Sequence, residues 1–295
     1  MHGRPRPPKD QPEDPEKQRA AGKRLALFSR LCNEVLARRA AKRYDEKSLA
    51  LAGALLEQNP EVYTAWNFRR EALQLALKGD AGPGEAQRLA QRELDLTEKA
   101  VRKNPKSYAA WFHRRWVVEQ GLCPLDGELD LIDRLLDMDE RNFHGWGYRQ
   151  FITARAGVQA AAEDAYTATR IGQNFSNYSA WHARTTLLQR LHASSRTVTL
   201  DQLLAEADPA SSTGESAASM VPTWALREEY GLVQQAFFTD PADQSAWLYH
   251  RWLLGGSLAH FAAASGTPRE GTARQVLEEE LACGDSTIEC TVINW

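Results

Sequence analysis

Five similar segments centred on a tryptophan recur along the chain, and they constrain its fold more than any other feature. They read NPEVYTAWNFRR, NPKSYAAWFHRR, DERNFHGWGYRQ, NFSNYSAWHART and DPADQSAWLYHR, centred on Trp66, Trp111, Trp146, Trp181 and Trp247. The intervals between these tryptophans are 45, 35, 35 and 66 residues. A repeated interval of 35 residues is typical of stacked helical hairpins, and the longer intervals indicate insertions. The sequence therefore predicts an all-α, right-handed superhelical solenoid of helical hairpins.

Aligned on the tryptophan, the columns of the repeat predict two helices for each unit. The residue seven positions earlier is always Asn or Asp, namely Asn59, Asn104, Asp139, Asn174 and Asp240. We interpret it as the N-cap of the second helix, because these side chains accept the first unbonded amides of a helix. In four repeats an aromatic residue three before the tryptophan and an arginine three after it share its helical face. We expect the tryptophans and most of these arginines to pack in the core.

Local composition predicts three regions: an N-terminal tail, the solenoid with one loop insertion, and a C-terminal segment. Residues 1–24 are rich in proline and charge, and we expect a disordered tail there. The solenoid is expected over residues 25–260, interrupted at 192–222 by a loop rich in Ala and Ser with one short helix near Leu200–Glu206. Residues 261–295 have no recognisable packing partner within the chain, which indicates either a truncated end or a segment that depends on another chain.

The charge balance and the absence of targeting signals limit the class of protein. Lys and Arg total 36 against 39 Asp and Glu, so a strongly basic nucleic-acid-binding protein is excluded. The four cysteines form no CxxC pair, which favours a reducing compartment. The longest apolar run, 49–56, is far shorter than the roughly 20 residues that a membrane span requires. The sequence predicts a soluble, cytoplasmic protein with no nucleic-acid partner and no membrane span.

Most motifs of self-sufficient enzymes are missing. The chain has no GxxxxGK[ST] or GxGxxG loop, no GxSxG elbow, and neither HExxH nor DDxxD. The seven histidines form no i, i+4 pair with each other and no cluster with cysteine. We therefore expect no metal site in this chain alone.

Two repeats carry a cation at the same position near the start of the predicted second helix, where a cation is unfavourable. Lys106 and Arg141 stand five residues before their tryptophans, where a cation opposes the dipole of the predicted helix. Stacking of consecutive repeats is expected to place them along one rim with free helix-end amides, which attract anions. Asn142 adjoins Arg141, and Tyr108 and His144 lie on the same first turns. These residues predict a phosphate or diphosphate site, and two solvated surface cations are the alternative.

The motif P-x-x-Y-x-x-W-x-x-R in stacked hairpins resembles the alpha-subunit repeat of protein prenyltransferases, over roughly Tyr44 to Leu254. The blocks NPKSYAAWFHRR, DERNFHGWGYR, NFSNYSAWH and FFTDPADQSAWLYHRWLL are most similar to the Rab-type (type II) branch. The resemblance implies a crescent around a separate beta subunit, an α/α barrel that holds zinc and most of the isoprenoid pocket. Such a heterodimer transfers geranylgeranyl from geranylgeranyl diphosphate to C-terminal cysteines of Rab GTPases, which an escort protein presents.

The resemblance also implies roles for individual residues. Lys106 matches the lysine that meets the diphosphate, Tyr108 an active-site tyrosine, and His144 a histidine facing the same cleft. Ala109 stands where the alpha subunit of CaaX enzymes has a glutamine that contacts the peptide carboxylate. His2, in the opening Met-His-Gly, resembles a residue that reaches the partner's zinc as an auxiliary ligand.

Two other functions fit the same sequence. One is a non-catalytic helical-repeat scaffold that binds peptides, and the other is the shared alpha subunit of the CaaX farnesyl and geranylgeranyl transferases. The core packing of Tyr108 also remains an alternative to an active-site role, because its column is aromatic in four repeats.

Overall fold

The computed structural model describes residues 15–79, 84–192 and 223–264, and every regular element in these ranges is an α-helix. This confirms the predicted all-α class. The helices are α1 (Pro15–Ala40), α2 (Glu46–Gln58), α3 (Tyr63–Lys78), α4 (Glu85–Lys103), α5 (Tyr108–Glu119), α6 (Asp126–Met138), α7 (Phe143–Arg155), α8 (Ala160–Gln173), α9 (Tyr178–His192), α10 (Thr223–Thr239) and α11 (Gln244–Ala264).

The chain divides into two compact units, one ending at Pro124 and the other beginning at Leu125. In the first unit α2 packs on α3, α4 packs on α5, and α1 lies against α2. In the second unit the packed pairs are α6 with α7, α8 with α9, and α10 with α11. The five predicted hairpins are therefore present.

Each hairpin buries one stripe of large apolar side chains. In the first hairpin Leu55 and Leu56 of α2 meet Trp66 and Phe68 of α3, and all four side chains are at most 1% exposed. In the third hairpin a Cβ on Gly145 would lie 2.9 Å from the Leu136 side chain. Glycine is therefore what allows α7 to approach α6 this closely.

The predicted capping role of the Asx column is wrong. The second helices begin at Tyr63, Tyr108, Phe143, Tyr178 and Gln244, which is four residues after the Asn or Asp. Where the contact is described, the Asx side chain instead accepts the amide two residues ahead, as Asn59 does from Glu61 at 3.0 Å. Asx turns and N-caps use the same side-chain oxygen, so the sequence does not distinguish them.

Both ends of the described chain are more helical than the sequence suggests. Helix α1 begins at Pro15, so residues 15–24 of the predicted tail are helical. The run Glu16 to Ala21 is made of good helix formers, and proline is favoured at the first helical position. Helix α11 continues to Ala264, past the fading of the pattern after Leu254. The predictions for His2, for 193–222 and for 265–295 lie outside the described residues.

Candidate functional site at the hairpin turns

Each hairpin turn is fixed by its own tryptophan. In all five repeats the indole N–H donates to the backbone carbonyl six residues earlier, at 2.7–2.9 Å. The accepting residues are Pro60, Pro105, Glu140, Phe175 and Pro241. Sequence reasoning missed this bond, although the constant spacing between the Asx residue and the tryptophan was its signal. The residue that follows each accepting carbonyl, which is Lys106 or Arg141 in two repeats, is therefore held on an ordered turn.

The arginines three residues after the tryptophans belong to the core, as predicted. Arg69 makes two bonds to Glu93 of α4, at 2.8 and 2.7 Å. In the second unit Arg149 makes the same fork with Glu163, and Arg184 does so with Glu229. These bidentate pairs tie the second helix of one hairpin to the first helix of the next.

A buried polar cluster surrounds the first of these pairs. His113 of α5 contacts Glu93 at 2.9 Å, and both side chains are fully buried. Burial raises the pKa of Glu93, but the Arg69 guanidinium and the His113 ring outweigh it and hold that pKa below its usual value. Burial lowers the pKa of His113 more than the Glu93 carboxylate raises it. The cluster is therefore most stable with an ionised Glu93 and a neutral His113.

Lys106 and Tyr108 bracket the start of α5 in the first unit. Lys106 is exposed on the turn, two residues before the helix, and its ammonium forms no ion pair among the described residues. Tyr108 is the first residue of α5 and is 65% exposed, which excludes the alternative that it packs in the core. Both side chains are open to a ligand.

Arg141, Asn142 and His144 lie together at the start of α7 in the second unit. Arg141 is exposed, and its backbone carbonyl accepts the Ser179 hydroxyl at 3.3 Å. Asn142 is buried, and its side-chain oxygen accepts the amides of His144 and Gly145. The His144 ring is half-buried, with its centroid 3.9 Å from that of Phe143. The Asn142 oxygen is therefore occupied by the helix cap. A diphosphate contact by Asn142 stays a prediction.

Some of the helix-end amides at these two starts are already capped, and anion binding by the others stays a prediction. The Ser107 hydroxyl accepts the Ala110 amide in α5, and Asn142 accepts two amides in α7. Capped amides offer an anion little, so the exposed side-chain charges of Lys106 and Arg141 are the main support for anion attraction at these turns.

Four of the five second helices begin with an aromatic residue, and this residue faces solvent rather than the core. Its exposed fraction is 48% for Tyr63, 65% for Tyr108, and 54% for both Phe143 and Tyr178. The turns and first helical residues therefore combine basic and aromatic groups that suit a ligand or a partner.

The second unit also contains a cavity of about 280 Å³ between α7 and α9. Its lining includes Phe143, Tyr178 and the buried Arg149–Glu163 pair. Both charges of that pair are satisfied by each other, so the cavity offers mainly apolar and neutral polar surface.

The described ranges contain neither a candidate metal cluster nor a candidate membrane span. Within 15–79, 84–192 and 223–264, no three side chains of His, Cys, Asp or Glu are grouped so that they can hold a metal ion. No helix in these ranges has the length and apolar character of a bilayer span.

Hairpins locked by tryptophan and joined by buried arginine forks define a helical-repeat protein with basic and aromatic turns. The family described as "Protein prenyltransferase alpha subunit repeat" matches at residues 45–76, 90–121, 125–156, 161–191 and 226–256, one match for each hairpin. The chain belongs to the protein prenyltransferase alpha subunit family.

Several curated relatives named "Geranylgeranyl transferase type-2 subunit alpha" are similar to the chain. The rat protein is 41% identical over 261 residues, which cover 88% of this chain and 43% of the relative. The fission yeast protein, from Schizosaccharomyces pombe, is 41% identical over 246 residues, covering 81% of this chain and 66% of the relative. The chain thus spans less than half the length of the rat relative.

A solved structure shares the fold. It is titled "Candida albicans protein geranylgeranyltransferase-I complexed with GGPP" and superposes with a TM-score of 0.57 at 19% sequence identity. The match covers 97% of this chain and 85% of the other. At this identity the likeness supports the helical-repeat fold.

Proposed function

We propose that the chain is the alpha subunit of a heterodimeric protein geranylgeranyltransferase of type II. With a beta subunit it transfers geranylgeranyl from geranylgeranyl diphosphate to C-terminal cysteines of Rab GTPases that an escort protein presents. The names of the relatives support the type II assignment. The single structural observation that carries the proposal is the exposed Lys106 ammonium, which has no ion pair in the described ranges and stands on a turn locked by Trp111.

The proposed role of Lys106 follows from the charge that develops during transfer. Attack of the cysteine thiolate on C1 of the isoprenoid forms the C–S bond and breaks the C1–O bond, so the electron pair leaves with the diphosphate. A cation already in place stabilises this growing negative charge more in the transition state than in the ground state. The zinc expected in the beta subunit would supply the thiolate.

The neighbouring residues receive narrower proposals. The Tyr108 hydroxyl, exposed two residues from Lys106, is proposed to donate to the same leaving group. We propose Arg141 and His144 as further substrate contacts, each to be tested separately. Asn142 holds the start of α7 through its cap, so its main effect is expected to be on the positions of its neighbours. A zinc contact by His2 remains a proposal, and so does a cytoplasmic location.

The choice of the Rab-type enzyme over the CaaX type rests on Ala109. Its side chain carries no hydrogen-bond donor and is only 7% exposed. A free peptide carboxylate would therefore find no side-chain partner at this position, which favours a protein substrate presented by another chain.

The proposal is tested by expressing the chain with a type II beta subunit and with a CaaX-type beta subunit. We expect a zinc-containing heterodimer with the first, and transfer to a Rab–escort complex but not to a CaaX peptide. Transfer to the CaaX peptide would instead support the shared alpha subunit. A chain that assembles with neither beta subunit but binds peptides would be a scaffold.

A further inference from the structure

Arg70 lies among three aromatic rings at the surface of the first unit. Its guanidinium carbon is 4.6 Å from the ring centre of Phe112, 5.3 Å from that of Trp116 and 5.9 Å from that of Tyr63. Its Nε and Nη2 atoms are buried and have no hydrogen-bond partner among the described residues. We refer to Arg70 and these three rings as the Arg70 cage.

The missing acceptors are unusual for this protein. Arg69, the preceding residue, donates from Nε and Nη2 to Glu93 and from Nη1 to the Leu49 carbonyl. Arg114 donates to the Leu94 carbonyl and the Thr97 hydroxyl. A buried donor without an acceptor costs about 1–3 kcal/mol, and a charged donor costs more. Contact with the rings offsets part of this cost for Arg70 but supplies no acceptor.

The repeat itself shows that the cage is not a packing requirement. In the second unit, Phe143, Gln150, His182 and Thr186 stand at the positions of Tyr63, Arg70, Phe112 and Trp116. These four residues line the open cavity between α7 and α9. The groove between successive second helices is thus stable without an arginine or its flanking rings. The cage is a particular property of the first unit.

The cage is also open to another molecule. Tyr63 is 48% exposed and Phe112 is 53% exposed, so two of its walls face solvent. Because Nε and Nη2 are buried, a carboxylate reaches them only after a neighbouring ring moves, and exposed side chains such as Phe112 change rotamer within nanoseconds. Arginine and aromatic residues dominate the binding energy of protein interfaces, and the Nε–Nη2 edge matches the two oxygens of a carboxylate.

We propose that the Arg70 cage binds one Asp or Glu carboxylate of the partner beta subunit, with the two oxygens on Nε and Nη2. This rests on the proposed function, which supplies the partner. The carboxylate completes the two bonds that the chain's own residues leave unmade, and the rings exclude water from the ion pair. The cage is therefore an anchor of the heterodimer rather than part of the transfer chemistry.

The test measures the dissociation rate of the assembled heterodimer for Arg70→Met, which keeps the apolar stem, and for Arg70→Lys, which keeps the charge without the fork. Arg102→Met is the matched control, because Arg102 is exposed and bonds only to Glu98 of its own helix among the described residues. We expect dissociation at least tenfold faster for Arg70→Met, an intermediate rate for Arg70→Lys, and no more than a twofold change for Arg102→Met.

Each contrary outcome has a defined meaning. Equal dissociation rates for the wild type and Arg70→Met overturn the proposal, and so does slowed prenyl transfer with unchanged assembly, since the cage would then bind the diphosphate. If Arg70→Met fails to fold, as judged by its thermal transition, Arg70→Lys decides, and a wild-type dissociation rate for it overturns the proposal. Failure of the wild type to assemble contradicts the proposed function instead.

Discussion

The Trp111 indole N–H donates to the Pro105 carbonyl at 2.8 Å, immediately before Lys106 in the chain. The bond connects the buried part of α5 to the turn that carries the exposed ammonium. The same side chain therefore fills the core of the hairpin and fixes the backbone next to the proposed catalytic cation. Five such bonds make the turns, and not only the helices, ordered parts of the fold.

Replacing Trp111 by Phe keeps most of the ring and removes the indole donor. We expect a loss of about 1–2 kcal/mol in the free energy of unfolding, because the bond from the indole N–H to the Pro105 carbonyl is lost. The measurement is urea denaturation, with single-turnover transfer as a second readout. Tyr63→Phe is a control that removes a polar group from an exposed ring. Equal losses for the two variants would show that the indole bond does not hold the turn.

Replacing Lys106 by Ala removes the proposed counter-charge to the diphosphate. We expect the single-turnover rate of prenyl transfer to fall about 100-fold or more, as when one preorganised donor is removed from an active site. Affinity for the beta subunit should change little. Lys47→Ala, an exposed lysine of α2, should leave the rate unchanged. An unaltered chemical step in the Lys106 variant would reject its role.

Two glycines of α7 should respond in opposite directions to alanine. A Cβ at Gly145 meets the Leu136 side chain at 2.9 Å, so Gly145→Ala is expected to destabilise the fold by about 1–3 kcal/mol. A Cβ at Gly147 has no atom within 4 Å, so Gly147→Ala should stabilise α7 by up to about 1 kcal/mol. Thermal unfolding of both variants tests the pair, and a similar shift for both would contradict the packing of α6 on α7.

Removing only one partner of the buried Arg69–Glu93 ion pair should destabilise the fold strongly. Arg69→Met is expected to lower the free energy of unfolding by about 3–5 kcal/mol, because it leaves the Glu93 carboxylate buried without its main counter-charge. The double variant Arg69→Met/Glu93→Leu should recover a large part of this loss, since neither charge remains. Denaturant unfolding measures both. A double variant as unstable as the sum of the two single variants would show that the pair is not coupled.

The His113 cluster predicts loss of stability on mild acidification. Burial holds the pKa of His113 below 6.5, against the pull of Glu93, and the Arg70 and Arg69 charges lower it further. The unfolded chain therefore binds the proton first, and stability falls as the pH drops below about 6.5. The depressed pKa of Glu93 adds a further loss at lower pH, as its carboxylate is protonated.

The variant His113→Gln isolates the first of these effects. Glutamine keeps a donor for Glu93 but does not titrate, so its stability between pH 7 and pH 5 should fall less than that of the wild type. Urea midpoints at several pH values give the comparison. Parallel curves for the two proteins would show that His113 does not link protonation to folding.

The tryptophan spacing was enough to predict the helical hairpins and the structural arginines, because both follow from periodic burial. The start of each second helix was placed too early, since Asn and Asp accept amides in turns as readily as at helix caps. The exposure of Tyr108 could not be predicted from the sequence. An aromatic residue three positions from a buried tryptophan lies near the boundary between the apolar and the exposed face of the helix. The Arg70 cage joins α3 to α5, and its four residues stand in four different columns of the repeat, so the sequence did not show that they meet.

The exposed aromatic rings at the starts of the second helices affect how this protein can be produced. In the isolated chain, exposed large rings favour association with other chains. These rings belong to Tyr63, Tyr108, Phe143 and Tyr178. Self-association should therefore compete with correct pairing whenever the chain is produced in excess. If the proposed beta subunit covers these rings, balanced synthesis of the two chains should govern yield more strongly than the stability of any single hairpin.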